Sequence, residues 1–481
     1  MKKLLACVLA AFAIAAVSIA VPASAAADGP AAGVAKKGGK KKNKKVFTVC
    51  KHGCKYKTLT KAAKKVKKKN STIKVKPGKY VEGVIFDGHK YDGLTIKGTK
   101  SDASKVILEG KNAKSPDGLA QNAIETINVN DVTLKNMTAQ NYASNGFFVR
   151  SDKEVGPSEK GDCNNPVMDN LVASHNRGYG LFFFGCAGGK MINSTGYGHG
   201  DSGFYVGATP EQNKPKTTLL KNDYAYENVL GYSGTNSKYI KITDSYFYNN
   251  GAGVVPNTLD SEPYEPTGDS VLQNSFVFWN NFNYYLPNSG VETVSNGLGE
   301  IGGATLNYPT GIGVVLFGAD GWTIKNNEIF GNFKWGTALF SDPFNCEGES
   351  GPDCTPGDDA MSQNNQIINN KNGRGGTDVN AIDFWSDGSG GGNCFSGNTS
   401  NTNDGSTPDH SAAFFYPTCP APAPPTSGTG GPGGDVYQVG ELVGYTTATP
   451  PQNMQCTWSE HAHPAFQDFE PNEVEPGPVC P

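Results

Sequence analysis

The sequence predicts an all-β solenoid of stacked coils, on three observations. Short alternating strands at residues 72–75, 94–96, 106–108 and 132–134 follow one another with no helical pattern between them. An Asn or Asp recurs just after a short strand, at Asn136, Asn170, Asn193, Asn222, Asp244, Asn274, Asn326 and Asn369, with intervals of 34, 23, 29, 22, 30, 52 and 43 residues. The intervals of 22 and 23 read as one coil, and the longer ones as a coil with a loop or an extra turn of the stack. The 481 residues are only 37% hydrophobic and 18% charged, with 61 Gly and 30 Pro, which suits a thin repetitive architecture better than a compact helical one.

In chain order, residues 1–25 carry Lys2 and Lys3, an apolar run from Leu4 to Val21, and Ala23-Ser24-Ala25 in the form a signal peptidase cuts. The expectation is a secreted protein without a membrane span. Residues 26–46 form a Lys-rich leader expected to be disordered, and the lysines continue beyond it. From Lys36 to Lys79 there are 19 Lys and no Asp or Glu, whereas the rest of the mature chain has 21 basic against 45 acidic residues, so the net charge of −3 conceals two parts of opposite sign. Such a run fits an acidic polysaccharide or an anionic cell-envelope polymer. Nucleic acid is not expected of an exported chain with no binding module, and a monomer is expected.

Leu59, Ala62, Ala63 and Val66 fall at helical spacing and predict a short cap helix. Asn after each strand is explained by the sharp turn there, because Asn tolerates the left-handed backbone and stacked amides can hydrogen-bond from coil to coil. Phe182, Phe183, Phe184, Phe204, Tyr246, Phe276 and Phe278 are expected to stack as core ladders. Loops at 151–166 and 345–362 are expected to wall a groove. Beyond 400 the repeat fades into a Pro/Gly-rich linker and a Cys-containing tail, 401–481. Ten cysteines remain after signal removal, and proximity pairs Cys50 with Cys54, Cys163 with Cys186, Cys346 with Cys354, Cys394 with Cys419 and Cys456 with Cys480. A zinc site at Cys50, His52 and Cys54 is the alternative for the first pair.

The cap helix leading into Thr72-Ile-Lys-Val-Lys-Pro-Gly-Lys-Tyr-Val-Glu82, followed by Asn-Gly repeats, resembles the right-handed parallel β-helix superfamily that includes pectate lyases, polygalacturonases and mannuronan C5-epimerases. The resemblance covers roughly 47–400. It implies a right-handed parallel β-helix with an N-terminal capping helix and an irregular C-terminal tail. It also implies a carbohydrate-active protein, a polysaccharide lyase or uronate C5-epimerase, although such repeats encode stacking rather than chemistry.

The candidate catalytic residues lie in Gly196-Tyr-Gly-His-Gly-Asp-Ser-Gly203, where Tyr197, His199 and Asp201 would share one face of an extended segment. His or Tyr would act as base or acid, and Arg177, one coil earlier, would neutralise a uronate carboxylate. The competing reading makes His199 a substitute for the corner Asn of its coil. Gly198-His199-Gly200 is similar to an element of polygalacturonases, but the paired acids of those enzymes are missing from the preceding coil, which speaks against their inverting hydrolysis. Glu227, Lys334, Trp335 and Trp385 are candidates for substrate binding, the indoles by stacking on sugar rings. Asp260, Glu262 and Asp269 share one Pro-rich loop and could hold Ca²⁺ or act as an acid/base pair. The alternative function is a non-catalytic cell-surface or adhesion scaffold attached through the Lys-rich leader.

Overall fold

A computed structural model describes residues 45–115, 118–156, 159, 161–259, 262–264, 266–281, 310–332, 334–340, 361–373, 380, 382–386, 390–400 and 418–420. The expected signal segment 1–25, nearly all of the Lys-rich 26–46 stretch, Asp260, the 345–360 loop with Cys346 and Cys354, and the tail with Cys456 and Cys480 lie outside the described residues.

Each coil is built from strands separated by left-handed corners. In the coil that starts at Thr218, the strand Thr218–Lys221 turns at Asn222 (φ 55°), continues as Tyr224–Tyr226, turns again at Glu227 (φ 55°) and runs on as Leu230–Thr235. Asn136, Asn170, Asn193, Asn222, Asp244, Asn274, Asn326 and Asn369 all have positive φ, between 50° and 58°. These are the eight positions singled out in the sequence. The side chain that follows such a corner points inward and accepts the backbone N–H of the coil before it. Thus Ser194, Asp223, Ser245, Ser275, Asn327, Asn370 and Asn398 form an internal ladder that satisfies the buried corner amides.

In the two large sheets, each described strand pairs in parallel with its counterpart on the neighbouring coil, so like stacks on like. One apolar column runs Phe47, Ile73, Ile96, Leu134, Met168, Met191, Leu220, Ile242, Leu272, Ile324, Ile367 and Phe395. At about 4.8 Å between strands, these coils extend about 50 Å. Among the described residues the strands form a 21-stranded and a ten-stranded sheet around this core, plus one small antiparallel hairpin at 114–119. The chain is a parallel β-helix.

The helix Leu59–Ala63 packs on the first coils with Leu59, Ala62, Ala63 and Val66 buried. Thr58 accepts from the Lys61 N–H, and the buried Glu82 carboxylate accepts from the Leu59 (2.8 Å) and Thr60 (3.0 Å) N–H groups. This end of the stack is capped rather than left as an open edge. Disulfides Cys50–Cys54, Cys163–Cys186 and Cys394–Cys419 are formed, so the first pair is a bridge and not a zinc site. The expectation of aromatic core ladders is corrected in part. Phe183 and Phe204 are in the core, whereas Tyr246, Phe276 and Phe278 stack in ladders on the outer side of the larger sheet, separated by the inward Phe247 and Val277. Phe182 and Phe184 also face out, because side chains alternate along the strand Leu181–Phe184.

Candidate functional site

The segment from Tyr197 to Ser202 turns a corner instead of running straight. The strand Thr195–Tyr197 ends at Gly198 (φ 69°), and the next strand, Ser202–Gly207, belongs to the ten-stranded sheet. The turn breaks the period-two face that would have joined Tyr197, His199 and Asp201. His199 points into the stack and is fully buried. Its Nδ1 accepts from the Asn176 N–H (3.1 Å), and its own N–H donates to Asn228 Oδ1 (3.0 Å). Asn250, Asn280, Asn332 and Asn380 continue the same column.

His199 is therefore a ladder residue, and the assignment of an accessible catalytic imidazole is corrected. Burial holds its pKa down to about 3, so the ring is neutral. Glycine is needed beside this ladder, since a Cβ at Gly180 would lie 2.6 Å from His199 Nε2, and one at Gly231 would lie 2.9 Å from Asn250 Nδ2.

Asp201 belongs instead to the outer face of the ten-stranded sheet. The outward column there is Glu125, Phe148, Phe182 and Tyr205, in register on consecutive coils. Phe148 stacks on Phe182 at 4.2 Å, and Tyr179 and Tyr205 each lie 4.6 Å from Phe182 and from one another. On this aromatic floor the Tyr179 hydroxyl donates to the half-buried Asp201 carboxylate. Burial raises Asp201 to about 7, and it raises Glu262, which reaches over from the next loop, to about 7 as well. Burial, with the charges of Asp201 and Glu262, pushes Tyr179 and Tyr205 well above the ordinary phenol range. Two carboxyls that titrate near neutrality thus sit beside two phenols that stay protonated.

The loop carrying Glu262 is held by a side chain. Asn236 Oδ1 accepts from the Leu259 N–H (2.8 Å), and its Nδ2 donates to the Leu259 (3.1 Å) and Tyr264 (2.9 Å) carbonyls. The Thr267 N–H closes the base of the loop on Thr258 Oγ1 (3.1 Å). Tyr264 adopts φ 76°, a strained conformation for a bulky side chain, and its hydroxyl accepts from the Val155 N–H (2.9 Å). The 151–166 loop therefore braces the 258–267 loop above the aromatic floor. Cys163–Cys186 ties the first of these loops to the solenoid.

The remaining candidates are dispersed. Tyr197 stacks on Tyr226 at 4.9 Å on the other sheet, with His175 edge-on at 5.3 Å. Glu227 occupies the left-handed corner beside Tyr226 and is raised by burial. Arg177 follows Asn176 in its turn, with Nε and Nη1 buried. Trp335 and Trp385 are corrected as sugar-stacking residues. They stack on each other at 4.5 Å and are only 5% and 2% exposed, with the Lys334 ammonium 4.7 Å over the Trp335 ring. Of the expected metal set, Asp260 lies outside the described residues, Asp269 is exposed at a corner with φ 47°, and Glu262 turns to the aromatic floor. Sequence reasoning missed Tyr179 and Tyr205. The available signal was their register: Tyr179 stands one residue after Gly178, the counterpart of Asp201 one coil earlier, and Tyr205 three residues after Ser202.

No family model and no curated protein matches the chain. Similar solved structures include the A-module of mannuronan C-5 epimerase AlgE4 from Azotobacter vinelandii (14% identity, TM-score 0.42, 70% of this chain and 88% of that one). A rhamnogalacturonan lyase (13%, 0.37, 75% and 84%) and pectate lyase Pel9A (13%, 0.34, 77% and 79%) are others.

Proposed function

We propose that the protein is an acid–base catalyst acting on an acidic polysaccharide laid across the aromatic floor of the ten-stranded sheet, as a lyase or a C5-epimerase. The observation that carries this reading is the pairing of Asp201 and Glu262, both titrating at about 7, with Tyr179 and Tyr205, both held protonated. Removing the proton next to a uronate carboxylate needs a base that is ionised near neutrality, a donor that is not, and relief of the carboxylate's charge.

Ionised Asp201, oriented by the Tyr179 hydroxyl, takes the C5 proton. Protonated Glu262 donates a hydrogen bond to the substrate carboxylate, onto which the electron pair is delocalised. Tyr205 then gives a proton to the departing glycosidic oxygen as the C4–O bond breaks and the C4–C5 double bond forms, or, in epimerisation, a proton reaches C5 from the solvent side of the ring. The working state requires Asp201 without its proton and Glu262 with one, so turnover peaks near pH 7 and falls on both sides.

The test is proton NMR of polygalacturonate and alginate incubated with the mature protein. Unsaturated or inverted uronate signals that disappear in Asp201→Asn support the reading. Unchanged spectra for both polymers overturn it in favour of a non-catalytic scaffold.

A further inference from the structure

The first coils carry a second surface of quite different chemistry. Between Lys45 and Lys79 there are 13 lysines and no Asp or Glu, and every one of those lysines is exposed. They stand on folded structure: the strands Val46–Val49, Thr72–Val75 and Gly78–Tyr80, and the helix Leu59–Ala63 with the turn after it. Among the described residues, only Lys69 and Lys79 of this set have acidic partners, Asp92 and Glu109, each at 2.6 Å. Lys45, Lys51 and Lys55 lie over the rings of Phe47, Tyr80 and Tyr56 at 5.5, 4.9 and 5.8 Å, which fixes their stems against the cap.

The strand register adds a second observation. Lys74 pairs directly with Lys97, and Lys97 with Lys135, so three lysines stand in register on consecutive coils, and among the described residues only Lys135 has an acidic partner, Asp169. Like charges placed directly opposite on adjacent strands destabilise a sheet. Neither packing nor capping requires the charge, since the apolar face of the helix and Glu82 accomplish both.

We infer that this folded basic cap is a docking surface for a linear acidic polysaccharide, separate from the aromatic floor. A polymer with one carboxylate per sugar ring presents charges at a repeat of the same order as the strand spacing of about 4.8 Å. Lysine suits such a partner, because a flexible point charge tolerates sliding where the planar fork of Arg would demand one geometry. The cap would hold a polymer chain while another stretch of it occupies the floor, and it binds whether or not the floor is catalytic.

The experiment measures binding of immobilised polygalacturonate to the full mature chain in an Asp201→Asn background, so that turnover does not enter. In one variant Lys61, Lys64, Lys65 and Lys68 are changed to Gln. In a control of equal net charge the exposed Lys190, Lys214, Lys221 and Lys371 are changed to Gln. Both keep the Lys-rich leader, so its contribution cancels. The cap variant is expected to bind about tenfold more weakly at low salt and with a shallower salt dependence, while the control changes by less than about twofold. Equal loss in the two variants, or none in either, overturns the inference. Tighter binding to polyphosphate than to polygalacturonate overturns the assignment of the partner as a carboxylate polymer.

Discussion

The ten-stranded sheet presents two outer faces that share one backbone register and differ entirely in what they carry. On the early coils the outward positions are Glu125, Phe148, Phe182 and Tyr205, with Arg150 and Phe184 two residues further along. On the later coils the same column passes through the buried Ser233 and continues as Val255, Val315, Ala338 and Trp385, these four buried in a second apolar cluster with Trp335 and Phe317. The inward neighbours Val254, Val314, Leu339 and Phe384 belong to the main core, so the alternation is intact. A β-helix fixes where side chains point and leaves their chemistry open. Where the outward row is apolar, it packs as core; where it mixes aromatics with acids, half-buried carboxyls are left to titrate near neutrality.

The sharpest way to break this comparison is at Asp201. Asp201→Asn should lower uronate turnover by about 100-fold or more, read by proton NMR, while Trp385→Ala should leave turnover per folded molecule unchanged. The same Asp201 substitution has a stability signature of known sign. The folded carboxyl keeps its proton up to about 7, whereas the unfolded one loses it near the ordinary value of 3.8, so the native state is penalised progressively as pH rises through that window. Asp201→Asn should therefore melt a few degrees higher than the native protein at pH 8 and no higher at pH 3.

Next in size is a substitution made at equivalent outward positions. Val315→Asp, in the fully buried apolar half, should cost about 3 kcal/mol or more in denaturant unfolding, because it buries an unpaired charge. Phe148→Asp, on the half-exposed floor, should cost less than half as much. A comparable loss at both would mean that the two faces are not distinct.

Smaller again is Asn236→Ala, which removes three hydrogen bonds that hold the Glu262 loop. By carboxyl ¹³C NMR the Glu262 midpoint should fall from about 7 toward the ordinary glutamate range, with little change at Asp201.

The smallest expected effect is at the corner ladder. Unfolded His takes up a proton below about 6.5, but folded His199 does so only near 3, so it costs stability as pH falls through that interval. His199→Asn should keep the ladder continuous, flatten the acid limb of the unfolding curve, and leave turnover at pH 7 unchanged.

The ladder column and the aromatic floor were unequally legible. Coil period, left-handed corners, helix face and the three cysteine pairings that fall within the described residues could be read from spacing, because each is a relation between residues near one another along the chain. His199 could be read either way, and register decided it: Asn176 and Asn228 stand 23 and 29 residues from it, yet bracket it in one column. Asp201 was found beside the wrong partners, since Gly198 turns the chain between it and Tyr197. Glu262 was read as a metal ligand or one of an acid/base pair from its acidic neighbours along the chain, whereas the groups that feel its charge in space are Tyr179 and Tyr205.

By itself, then, the sequence determined that this chain is a solenoid, since periodic apolar residues and left-handed Asn corners are local requirements repeated coil by coil. It also determined the basic cap, because charge composition survives any fold. Only the tertiary structure decided which acids and phenols meet. Burial, the braced loops and the stacking register bring together residues from different coils, and the resulting desolvation, which no spacing encodes, moves their proton affinities to where chemistry at neutral pH can use them.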